Sequence, residues 1–100
     1  METFKDIING DKPVLVDFYA TWCGPCKVMT PIIESVGKEL GANIRVLKID
    51  IDKNQSVALH YYRIQSVPTF VIFKKGEIVW RVSGAMEKSV LLEQVKNWID

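Results

Sequence analysis

One hundred residues, 48% of them hydrophobic and 25% charged, have the balance of one soluble domain around a single core, and residues 1–100 are expected to form it alone. A formal net charge of +1 without any run of like charge gives no long-range field for gathering nucleic acid or an anionic membrane, so neither is expected as a partner. A chain of this length buries roughly two-thirds of its unfolded surface and needs no metal or disulfide framework to fold, which leaves its two cysteines free for chemistry.

Met1 to Asn9 places Glu2 and Asp6 among its apolar residues and has no apolar stretch long enough for a signal peptide or a membrane span, so a cytoplasmic location is expected. Phe4, Ile7 and Ile8 recur at helical spacing and stop at Gly10 and Pro13, which predicts a short first helix. Val14 to Tyr19 is apolar on both alternating faces and reads as a strand covered on both sides, interrupted by Asp17. From Cys23 onward Met29, Ile32, Ile33, Val36 and Leu40 line one side of an amphipathic helix closed by Gly41, with Pro31 inside it and a kink expected there. Ile44 to Ile51 alternates as a second strand, and Val57 to Tyr62 reads as a short helix. Runs at Thr69 to Phe73 and Ile78 to Val82, separated by Lys75 and Gly76, predict a hairpin. Leu91, Leu92, Val95, Trp98 and Ile99 share one face of a last helix. This alternation predicts an α/β fold, a mixed sheet with helices on both faces.

Trp22-Cys23-Gly24-Pro25-Cys26 falls between the buried strand and the long helix, where the carboxyl ends of strands in open α/β sheets bind ligands. Two residues between cysteines at a helix start bring both sulfurs within bridging distance, and the unpaired N–H groups and positive dipole end stabilise a thiolate at Cys23. Cys23 is then the nucleophile. Cys26, one turn in and on the inward side, is expected to be less exposed and protonated until it attacks the mixed disulfide. A zinc site needs about four ligands, and His60 is the one further Cys or His, so no metal is expected. Asp17 has apolar neighbours on both sides, which favours burial, and a buried carboxylate without a role is uncommon. Lys48 alternates in its strand as a solvated residue does, and Pro68 taken locally is an ordinary turn proline. His60, Tyr61, Tyr62, Trp80 and Trp98 read as packing residues.

The segment Trp22 to Cys26 resembles the thioredoxin family, whose Trp-Cys-Gly-Pro-Cys motif it matches without change; thioredoxin is itself the standard case for this cysteine spacing. The resemblance runs along nearly the whole chain through Asp17, Pro31, Lys48, Val67-Pro68-Thr69, Gly76 and Gly84. It implies a protein-disulfide reductase that needs no cofactor beyond its own Cys23-Cys26 disulfide and is recharged by a thioredoxin reductase drawing on NADPH. It implies a cis bond before Pro68, facing the cysteines, and pairing of the Val67 backbone with an extended substrate chain. Trp22, Gly24, Pro25, Val67, Pro68, Thr69, Gly84 and Ala85 would form the docking surface. Asp17 would be the buried carboxylate below Cys26, accepting its proton, with Lys48 as its neighbour.

The chain also departs from that pattern. It begins at the first helix, so four strands are expected in place of five, with Ile44 to Ile51 at an edge open to water or to another chain. Shielding by Met1 to Phe4, or by Arg45 and Lys48, would keep the protein a monomer; pairing of two edges would make a dimer. Arg63 and Ser66 stand where the family often has glycine, and Arg63 must end its helix without glycine's freedom. A thiol oxidase or isomerase is disfavoured because Gly24-Pro25 lacks the histidine that over-stabilises the thiolate in such relatives. Intact cysteines argue against a purely scaffolding protein, while scaffolding alongside reduction stays open.

Overall fold

A computed structural model describes residues 2–99. Its centre is β1 (Val14–Tyr19), which pairs in parallel with β2 (Arg45–Asp50) and antiparallel with β3 (Thr69–Lys74); β4 (Glu77–Ser83) lies antiparallel to β3, giving the order β2-β1-β3-β4. The first five residues of β1 are all buried, as its continuous apolar run predicts, because both faces of the sheet are covered.

On one face α2 (Gly24–Leu40) and α3 (Lys88–Lys96) pack Met29, Ile33, Val36, Leu91 and Val95 onto Leu15, Phe70 and Ile72. On the other, α1 (Phe4–Ile8), a turn at Ser56–Tyr61 and the segment that follows it cover Val14, Val16, Phe18, Val71 and Phe73 with Ile8, Ala58 and Ile64. Phe4 and Tyr62 add edge-on rings, centroids 5.7 Å apart, each also meeting the ring of Phe73. Each fully buried aliphatic or aromatic side chain contributes about 1.5–3 kcal/mol relative to exposure. The expected mixed four-stranded sheet, flanked on both faces, is therefore the observed one.

Local chemistry explains the element ends. Thr3 and Asp6 form a reciprocal capping box that starts α1. Gly41, at φ +52, ends α2, and Pro31 lies within that helix. Lys75 and Gly76 both have positive φ, as a two-residue hairpin turn matching strand twist requires. The segment Ser56–Tyr61 is a π-helical turn and not the expected α-helix; its next residue, Tyr62, donates its N–H to the carbonyl of Val57 at 3.1 Å.

Strand β2 forms one edge of the sheet, as expected. Arg45 there makes a two-pronged pair with Glu2, at 2.9 and 3.0 Å, which brings the N-terminal segment and a fixed charge pair to the edge. Met1, the other end of the expected shield, lies outside the described residues.

Candidate active site

The carboxyl end of β1 gathers the candidate chemistry. Beyond Tyr19 the chain turns at buried Ala20, whose carbonyl accepts the Cys23 N–H at 3.2 Å, and this turn delivers Cys23 to the N-cap of α2. There Cys23 Sγ accepts the backbone N–H of Cys26 at 3.1 Å, in the place an N-cap oxygen usually takes. Pro25 sits in the first helical turn, where its missing N–H leaves no hydrogen bond unmade. Cys23 and Cys26 are joined as a disulfide, with Cα atoms 5.3 Å apart, in a buried cluster against which Tyr19, Ile51 and Val67 pack.

Exposure does not rank the cysteines as expected: Cys23 is 4% exposed and Cys26 5%. Both lie, joined by the bond, in the buried cluster with Ala20 against which Tyr19, Ile51 and Val67 pack. Direction separates them instead. Cys26 heads the buried stripe Cys26, Met29, Ile33, Val36 and Leu40 that faces the sheet, whereas Cys23 precedes the helix at its positively polarised end.

Alternation along β1 puts Val14, Val16 and Phe18 in one core and Leu15 in the other, so Asp17 shares the Leu15 side, beneath α2. It is 1% exposed, and neither carboxylate oxygen has a hydrogen-bond partner among the described residues. Loss of water pushes its pKa from 3.8 up to about 6, against a weaker opposing pull from the Lys48 ammonium. Lys48 is the register partner of Asp17 across β1 and β2, yet no ion pair joins them among the described residues. Its Nζ lies 4.9 Å from the ring centroid of Tyr19, a cation–π contact. A hollow lined in part by Tyr19, Cys26, Lys27 and Lys48 opens beside this group.

The start of β3 approaches from the opposite side. The Val67–Pro68 peptide is cis, and the Pro68 carbonyl accepts the Gly84 N–H at 2.9 Å, which ties the Gly84-Ala85 turn to the same loop. Trp22, Gly24, Pro25 and Ala85 are exposed, Val67 and Gly84 half-buried, and Pro68 buried. Thr69 differs from these. It is fully buried, and its hydroxyl bridges the Ser66 carbonyl at 2.7 Å and the Ser83 hydroxyl at 2.9 Å, so it supports the loop from beneath.

Asp52 was not legible as part of the site. Its carboxylate accepts the Trp22 indole N–H at 2.9 Å and holds a ring that is otherwise 69% exposed. Nothing in the linear sequence links residues 30 apart; the parallel pairing of β1 and β2 sets their carboxyl ends side by side. Asp52→Ala is expected to free the indole and shift its fluorescence, which emission spectra of the two proteins check.

A disulfide at a helix N-terminus, beside an exposed indole and a cis-proline loop, is the working centre of a thiol-disulfide oxidoreductase. The thioredoxin family model matches residues 1–97. A thioredoxin-like protein of Synechocystis is 48% identical over 97 residues, covering 96% of this chain and 91% of that protein. A thioredoxin of Porphyra purpurea is 44% identical over 95 residues, covering 95% and 88%. Chloroplastic thioredoxin Y of Oryza sativa is 48% identical over 99 residues, which is 98% of this chain and 58% of that protein. A solved mutant thioredoxin from Halobacterium salinarum has a TM-score of 0.86 at 34% identity, covering 96% of this chain and 82% of its own. The chain belongs to the thioredoxin family, and it is a protein-disulfide reductase with a redox-active cysteine pair.

Proposed function

We propose that residues 1–100 act as a single, monomeric, cytoplasmic thioredoxin domain in which Cys23 attacks the substrate disulfide and Cys26 resolves it. The observation that carries this reading is the Cys23 sulfur at the N-cap of α2, receiving a backbone N–H, while Cys26 heads the buried stripe. The Cys23 thiolate displaces one substrate sulfur as a thiolate and forms a mixed disulfide. Cys26 then loses its proton and attacks Cys23 Sγ; the second substrate thiolate leaves, and two electrons have passed from the dithiol to the substrate. Asp17, on the side of β1 beneath α2, is the proton acceptor for Cys26. The Lys48 charge keeps that carboxylate from becoming too weak an acid to ionise near neutrality.

Trp22, Gly24, Pro25, Val67, Pro68, Gly84 and Ala85 form the docking surface, with Thr69 bracing it and the Val67 backbone pairing with the substrate chain. No organic cofactor or metal takes part, and a thioredoxin reductase returns the disulfide to the dithiol. A reductase of this kind belongs where thiols are kept reduced, which supports the cytoplasm. The Glu2–Arg45 pair beside the β2 edge supports the monomer.

The test is insulin reduction coupled to NADPH oxidation with candidate thioredoxin reductases, where turnover is expected. Inactivity with a chemical dithiol as well would replace this reading with a scaffold. Light scattering across a concentration series is expected to show one monomer mass throughout.

A further inference from the structure

Arg63 adopts φ +54, a left-handed conformation that residues with a Cβ rarely hold. It stands just after the π-helical turn and begins the path to the cis Val67–Pro68 peptide. Arg81 of β4, paired in register with Val71, reaches across to this point. Its Nη1 donates to the Tyr62 carbonyl and its Nη2 donates to the Arg63 carbonyl at 2.8 Å. Those two carbonyls flank the φ and ψ bonds of Arg63, so their relative direction is set by these two dihedrals. A planar guanidinium that holds both carbonyls therefore fixes the left-handed turn from outside.

The remainder of the loop is held in sequence. Ile64 is fully buried, and its N–H reaches the Ala58 carbonyl at 2.7 Å. Ser83 bonds Thr69, which bonds the Ser66 carbonyl, and the Gly84 N–H bonds the Pro68 carbonyl. Strand β4 and the residue after it thus hold the loop at its entry, middle and exit through Arg81, Ser83 and Gly84. We infer that Arg81 is a positioning residue for protein substrates: by fixing the Arg63 dihedrals it sets the path of residues 64–67 and so the place of the Val67 backbone. This rests on the docking role proposed above for Val67.

The experiment compares insulin, which needs the loop, with dithiobis(nitrobenzoate), a small disulfide that reaches Cys23 without pairing along it. Arg81→Ala is expected to raise KM for insulin about tenfold with kcat within about twofold, and to leave the rate with the small disulfide unchanged. Arg81→Lys keeps the charge without the fork and is expected to show most of the same defect. Arg63→Gly, free to be left-handed, is expected to keep the wild-type KM and to restore that of Arg81→Ala to within about twofold of it. An unchanged insulin KM in Arg81→Ala or Arg81→Lys, an equal loss with the small disulfide, or no rescue by Arg63→Gly overturns the inference. If Arg81→Ala does not fold, Arg81→Lys and the double variant decide it by the same readings. Val67→Pro, which removes the pairing N–H, separates the two ideas. An unaltered insulin KM there refutes the docking role itself, whereas a raised KM there with a normal one in Arg81→Ala refutes the role of Arg81 alone.

Discussion

Cys23→Ser is expected to abolish disulfide reduction, whereas Cys26→Ser accumulates covalent adducts with its substrates. The difference follows from the order of bond changes. Only the attacking sulfur is needed to open the substrate disulfide, and only the resolving sulfur can cleave the bond that then joins enzyme to substrate. Placement at the N-cap, with the Cys26 N–H directed at its sulfur, favours the thiolate form of Cys23 once the pair is reduced. Cys26 lacks that cap and lies on the sheet-facing stripe. Alkylation of the reduced protein near neutral pH should therefore label Cys23 first, and peptide mapping after brief exposure reads the order. Cys26 labelled first, or adducts trapped by Cys23→Ser, would reverse the roles.

The fold was legible where one residue pattern admits one structure. Val14 to Tyr19 is apolar on both alternating faces, and only a strand covered on both sides buries all of it. Asp17 was legible for the same reason: a charge inside such a run has no solvent face to occupy. The turn at Ser56–Tyr61 was not, because the apolar side chains of Val57 and Ala58 suit an α-turn and a π-turn equally. Arg81 in an alternating strand reads as a solvated residue, and its grip on two carbonyls depends on where β4 lies relative to the loop after residue 61. The Trp22–Asp52 bond is likewise a product of strand pairing. The near-equal burial of the cysteines was hidden because Ile51 and Val67, distant in sequence, pack against their cluster.

Asp17→Asn is expected to stabilise the protein near pH 7 while slowing its chemistry. The carboxylate is buried without a hydrogen-bond partner among the described residues, so ionising it in the folded state sacrifices hydration that the unfolded chain retains. Its folded pKa of about 6 lies above its ordinary 3.8, which fixes the sign. Below 3.8 both states hold the proton and Asp17 carries no penalty. Between 3.8 and about 6 the unfolded chain releases the proton while the folded one keeps it, so stability falls as pH rises. Above about 6 the loss levels off at about 3 kcal/mol, which the neutral amide of Asn escapes. Urea denaturation should therefore place Asp17→Asn up to about 3 kcal/mol above the wild type at pH 8 and level with it or below it at pH 3. With the proton acceptor proposed for Cys26 removed, release of a preformed mixed disulfide should slow by about 10²-fold, and the rise in rate through pH 6 expected of the wild type should disappear. The opposite movement of stability and rate is what distinguishes a proton acceptor from a structural acid. A variant less stable at pH 8, or one that resolves mixed disulfides at the wild-type rate, would show that Asp17 serves the fold and leave the proton of Cys26 to water entering through the hollow beside Lys48.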